Sequence, residues 1–144
     1  MNGKKLLIGT IVGGIVLFFL GRLFWGILFA GFFDANAGTA TGVGRETVLL
    51  WATILGMLSL SCLVTLAIGW SGASTVLEGL KIGAIVGFLV WFGVDLIFYG
   101  NFHLSKLAAT MVDPILELVR TGIAGAVIAG VLQKVGDGES NRAT

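Results

Sequence analysis

Apolar residues fill this chain in four long runs, near residues 6–30, 47–70, 76–100 and 105–132, and polar positions gather in the short stretches between them. Runs of about 20 apolar residues match the length at which an α-helix crosses the hydrocarbon core of a bilayer. The pattern predicts an all-α fold, an integral membrane antiparallel four-helix bundle, with residues 1–144 as one transmembrane domain. The stretch at 34–46, DANAGTATGVGRE, is rich in Gly, Ala and Thr and lacks an apolar period, so it reads as a loop. Residues 71–74 are small and form a turn that sets the second and third spans side by side and antiparallel. Residues 136–144, GDGESNRAT, read as a disordered tail.

The first run is longer than a span needs. From residue 6 to residue 33 its only charge is Arg22, and Lys4 and Lys5 precede it. A signal peptide opens in a similar way, and Ala35-Asn36-Ala37 resembles a cleavage site. A signal h-region, however, ends after about 7 to 15 residues, whereas here LFWGILFAGFF comes after Arg22. As one helix the stretch would measure about 42 Å against a hydrocarbon core of about 30 Å, so it must tilt, bend or emerge. Trp25, Phe29, Phe32 and Phe33 then fall at or just beyond the interface. Trp51 and Trp70 fall near the two ends of the uncharged second run, as an aromatic belt would place them.

Composition points the same way. Of 144 residues 56% are hydrophobic and only 12% charged, against about 25% charged in ordinary soluble domains, and the mean hydropathy is +1.00. A net charge of +1 without a basic cluster argues against nucleic acid as a partner. Cys62 is the only cysteine and His103 the only histidine, so an internal disulfide is excluded and no metal or other cofactor is expected. With no nucleophile elbow and no phosphate loop, the expectation is a protein that is not an enzyme. Four spans with cytoplasmic termini put Lys4, Lys5, Lys81, Lys134 and Arg142 inside and Arg45 and Lys106 outside, as the positive-inside rule prefers.

Against this apolar background the charges carry the candidate chemistry. A carboxylate within a span costs about 3 kcal/mol unless it finds a partner or water. Asp95 sits inside the third run and Arg22 inside the first, and the fourth carries Asp113, Glu117 and Arg120. Spaced four and then three residues apart, the last three project from one helical face within about 11 Å of rise. In an antiparallel bundle all five reach overlapping depths, which predicts a polar intramembrane cluster of Arg22, Asp95, Asp113, Glu117 and Arg120. Three acids against two guanidinium groups leave one acid to protonate or contact water. The cluster reads either as a cavity for protons, a cation or a polar ligand, or as a salt-bridge network that fixes helix pairing. Pro114 removes a backbone donor directly beside Asp113.

Small residues supply the packing faces. Gly79, Gly83, Gly87, Trp91, Asp95 and Tyr99 recur every fourth residue, and each step drifts by roughly 40° around a helix, so the glycine end and the Asp95 end face different neighbours. Gly79, Gly83 and Gly87, with Gly122, Ala126 and Gly130 of the fourth run, form surfaces for close helix contact, and Gly9 and Gly13 share the spacing. Among 23 glycines such matches arise easily, so contact within the chain is the preferred reading over a dimer interface.

GRLFWGILFAGFF after the first apolar core, a glycine-punctuated third span ending VDLIFYGN, and a fourth span with an internal Asp and a Gly/Ala-rich end resemble small bacterial four-span membrane proteins of uncharacterised families. The resemblance implies a multi-pass protein of the bacterial inner membrane and brings no activity with it. The small multidrug-resistance transporters are similar in span number and length, but they carry their binding carboxylate in the first span, where this chain has Arg22. The expected function is a non-enzymatic integral membrane module, an accessory subunit or scaffold of a larger membrane complex, with the lipid bilayer and other membrane-protein subunits or its own copies as partners. The alternative is a small oligomeric transporter or channel using the charged cluster for protons or cations.

Overall fold

The computed structural model describes residues 1–140. The helices are α1 (Gly3–Leu23), α2 (Ala30–Ala35), α3 (Leu50–Ser71), α4 (Val76–Asn101) and α5 (Leu107–Ser140), and a π-helical segment, Phe24–Leu28, joins α1 to α2. No strand occurs among the described residues, and four stretches are long and apolar enough to cross a membrane: Gly3–Leu28, Leu50–Ser71, Val76–Asn101 and Leu107–Gly136. The tail expected to be disordered is helical from 136 to 140 as a continuation of α5, and 141–144 lie outside the described residues. Extending an existing helix costs far less than starting one, so isolated glycines such as Gly136 do not stop it.

The overlong first run bends. The backbone passes from α1 into the π turn, and Phe29 then leaves helical geometry at φ −115°, ψ 8° before α2 begins. A π turn holds an extra residue per turn and rotates the chain beyond it, which here swings Trp25 and Phe33 inward over the bundle. At the same end, residues 36–40 lie along 103–106. The Gly38 amide donates to the Leu104 carbonyl (2.9 Å), that of Ala40 to the His103 carbonyl (3.0 Å), and that of Lys106 to the Asn36 carbonyl (2.9 Å). Lys106 Nζ adds a bond to the Ala35 carbonyl (2.9 Å). This clasp ties the α2–α3 loop to the α4–α5 loop, and its position defines the clasp end of the bundle. The opposite, terminal end carries the start of α1, the α3–α4 turn and the end of α5.

A side chain on Gly38 would run into the His103 backbone. Gly38→Val should therefore open the clasp and raise amide hydrogen exchange at 38, 40 and 106, leaving exchange in α3 unchanged.

At the terminal end, Gly72 at φ 70° ends α3 in the left-handed region that glycine accepts without strain. Thr75 and Glu78 then form a reciprocal cap that starts α4. The turn makes α3 and α4 antiparallel neighbours, but the intimate pairing is between α4 and α5. In lipid, burying apolar side chains gives little drive between helices, and close backbone contact takes its place. Gly79 packs on Gly125 and Ala129, Gly83 on the Thr121 carbonyl and Gly125, and Gly87 on Thr121 and the Glu117 carbonyl.

On α5 the centre of this seam is Thr121, Gly125 and Ala129. Gly122 and Gly130 also face α4, against Leu80, Ala84 and Val76, less tightly than this central row, and Ala126 is half-buried. Gly9 and Gly13 of α1 seat Thr65, Ser61 and Ile128, and Ser61 Oγ donates to the Gly9 carbonyl at 3.2 Å. Val64, Ile68 and Ile128, packed with Ala73, Ile82, Val86 and Leu132, fill the terminal half of the bundle. Trp51 and Trp70, 65% and 76% exposed, stand about 28 Å apart along α3, close to the thickness of a hydrocarbon core.

A candidate polar cavity between the helices

In the clasp half, α3 and α4 no longer fill the space between them. A cavity of about 390 Å³ opens there, lined by Trp25, Phe33, Met57, Trp91, Asp95, Ser105, Ala109, Thr110, Asp113, Glu117 and Arg120. The sequence places its acids at matching depths. Asp95 lies six residues before the end of α4 and Asp113 six after the start of α5, so each carboxyl is about 9 Å from the clasp end of its helix. The two line the same cavity. Two carboxylates facing one small space repel each other unless positive charge lies between them.

Asp113 also accepts a hydrogen bond from Trp25 Nε1 at 2.5 Å, which fixes the indole that the π turn swings inward. One turn deeper, Glu117 and Arg120 are almost fully buried, at 2% and 4% exposure. Arg120 Nη2 pairs with Glu117 Oε1 at 3.1 Å and donates to Met57 Sδ at 3.7 Å. Its guanidinium carbon stands 5.0 Å from the centre of the Trp25 ring, a cation–π contact. Nη1 occupies the place a side chain on Gly21 would take, so this glycine is what lets α1 pass so close to the charge. Thr121 Oγ1 donates to the Glu117 carbonyl and seats that turn of α5.

Four polar atoms of this lining are buried without a hydrogen-bond partner among the described residues: Trp91 Nε1, Asp95 Oδ2, Glu117 Oε2 and Arg120 Nε. Two are donors and two are acceptors, and each is costly to leave unmatched in a low-dielectric setting. Pro114, fully buried one residue after Asp113, leaves the Thr110 carbonyl without its usual helical donor on the same wall. The cavity is thus suited to water, a proton or a small polar cation. Among the described residues no group of His, Cys, Asp and Glu is arranged to hold a metal ion.

Arg22 corrects the expected cluster. It is exposed, its side chain runs along Gly26 of its own helical stretch, it forms no ion pair among the described residues, and it lines a different cavity. The reason is rotation about the helix axis: Gly21 touches Arg120 and Trp25 bonds Asp113, so Arg22 lies at the depth of the cluster but is turned about 100° from Gly21, to the outside, where its long side chain can reach the headgroups. The acids inside therefore face one guanidinium, where the sequence suggested two. His103 is exposed and enters the clasp through its backbone alone. Residues without a charge complete the site. Trp91 falls in the same four-residue series as Asp95, a usable signal, whereas nothing in the sequence marks Met57, and Trp25 reads as an interfacial anchor until the π turn is seen. Compared with known protein families, curated proteins and solved structures, the chain finds no match in any of the three.

Proposed function

We propose that this chain is a non-enzymatic, multi-pass membrane module that binds a proton or a small cation in the polar cavity, working as a subunit of an oligomer or of a larger membrane complex. The observation that carries the reading is the charge balance: three carboxyl groups share one guanidinium, and Arg120 is already paired with Glu117. Asp95 and Asp113 are left facing each other, an arrangement that gains from any positive charge placed between them. Transport or sensing of that cation is favoured over a purely scaffolding role, because the glycine faces that would have served a partner are occupied by the chain's own helices. The packed terminal half argues against an open pore through one chain, so passage would require rearrangement or an oligomer. Lys4, Lys5, Lys81 and Lys134 gather toward the terminal end and Arg45 and Lys106 toward the clasp end, which supports cytoplasmic termini and a cavity facing outward. The bacterial inner membrane is the location that fits the sequence resemblance.

Asp95→Asn tests the reading. Asparagine keeps the size and polarity of the side chain but removes one charge beside the bound cation, an interaction worth on the order of a few kcal/mol in a partly buried site. In nanodiscs, binding of potassium and tetramethylammonium followed by calorimetry, and proton binding near neutral pH followed by potentiometric titration, should register at least one ligand in the wild type. The variant should bind that ligand about tenfold more weakly or worse, with a melting temperature close to wild type. Equal binding in the two proteins, or no binding of any of the three, would overturn it.

A further inference from the structure

The guanidinium left out of the acidic cavity has a setting of its own. Arg22 lines a second cavity of about 450 Å³ between α1 and α3, walled by Leu17, Phe18, Val48 and Leu50 and closed at its deep side by Arg120. Its volume falls in the usual range for small-molecule sites of about 300 to 1,000 Å³. The walls are apolar and belong to the clasp half. The charges are both positive, and among the described residues no carboxylate lines the cavity. Among the described residues Arg22 has no ion pair, and Arg120 Nε, on a residue 4% exposed, has no hydrogen-bond partner. Gly26 leaves the Arg22 side chain free to rise along the helix toward the headgroup level.

An occupant of such a site needs an anionic head at interfacial depth and a chain that accepts aliphatic and aromatic walls. A soluble anion would satisfy Arg22 and leave the apolar walls unmatched. We propose that this cavity is a lateral binding site for one anionic phospholipid, its phosphate on Arg22 and an acyl chain lying between α1 and α3 with its upper carbons below Phe18. The site stands independently of the cation cavity. The two share only the partition of Trp25, Met57 and Arg120, which lines both.

The test uses the full chain in bilayers of equal phosphatidylglycerol and phosphatidylcholine, released and weighed by native mass spectrometry. One retained phosphatidylglycerol, preferred about five-fold over phosphatidylcholine, is the expected result for one well-placed arginine. Arg22→Gln should bring the ratio to parity, whereas Arg45→Gln, which removes an equal charge from the exposed loop at the same end, should leave it intact. No preference in the wild type, a preference that survives Arg22→Gln, or an equal loss in Arg45→Gln would overturn the proposal. Displacement of the bound lipid by inorganic phosphate would assign the arginine to a soluble anion and would overturn it as well. Arg22 is exposed and, among the described residues, bonded to no other side chain, so Arg22→Gln should fold, and an unchanged melting temperature in neutral lipid verifies this.

Discussion

Glu117→Gln should lower stability by about 3 to 5 kcal/mol, because it strands the buried guanidinium of Arg120. The two side chains are 2% and 4% exposed and joined at 3.1 Å. Trp25 offers Arg120 the face of a ring and Met57 offers a thioether, both weak partners beside a carboxylate. Asp113, one turn away on the same face, is engaged by Trp25 and so replaces little of what is lost. Thermal and denaturant unfolding in mild detergent measures the effect. The double change Glu117→Leu with Arg120→Met should recover most of it, since an apolar pair of similar volume removes both the charge and its unmet need. A Glu117→Gln protein as stable as wild type would mean that water reaches the pair freely.

Gly83→Leu should prevent α4 and α5 from pairing. The first carbon of any side chain at 83 meets the Thr121 carbonyl and the Gly125 backbone, neither of which can rotate away. Even Gly83→Ala should cost about 1 to 3 kcal/mol, the usual range for overpacking a close-packed site. The leucine should leave the two helices as separate spans with no cooperative melting transition. Gly93→Ala, on the same helix with open space around it, is the control and should melt as wild type does. A cooperative transition near the wild-type temperature in Gly83→Leu would show that the seam is loose enough to part without loss.

The helical class and the number of spans were legible because runs of this length and apolarity admit few other structures, and the Trp51 and Trp70 positions fit the same pattern. Spacing could also place Asp113, Glu117 and Arg120 on one face, since that depends only on helical pitch. What it could not supply was rotation about the helix axis. In the fourth run Gly122, Ala126 and Gly130 share their spacing with Thr121, Gly125 and Ala129, and only tertiary contact decides which row becomes the centre of the seam. Arg22 has the depth to join the cluster but not the rotation, since it is Gly21 that faces Arg120. The π turn after it changes the direction of Trp25, and FWGIL announces no such turn in its residue types. The clasp was hidden for a related reason: 36–40 and 103–106 carry no apolar period, and their pairing is made of backbone bonds that any sequence could form.

The seam also dictates how this molecule can move. Helices that meet through glycine backbones cannot slide or roll against each other, because every intermediate position drives a carbonyl into the opposing chain, so α4 and α5 travel as one body. Ser61 and Thr65 seated on Gly9 and Gly13 couple α1 to α3 in the same fashion. Between the two bodies the chain supplies a pivot at one end, the left-handed Gly72 turn beside the Val64, Ile68 and Ile128 core, and a latch at the other, the backbone bonds from 36–40 to 103–106. Widening the space around Asp95 and Asp113 therefore means unfastening the latch, parting Trp25 from Asp113 and tilting one helix pair from the other, with the cavity at the long end of the lever.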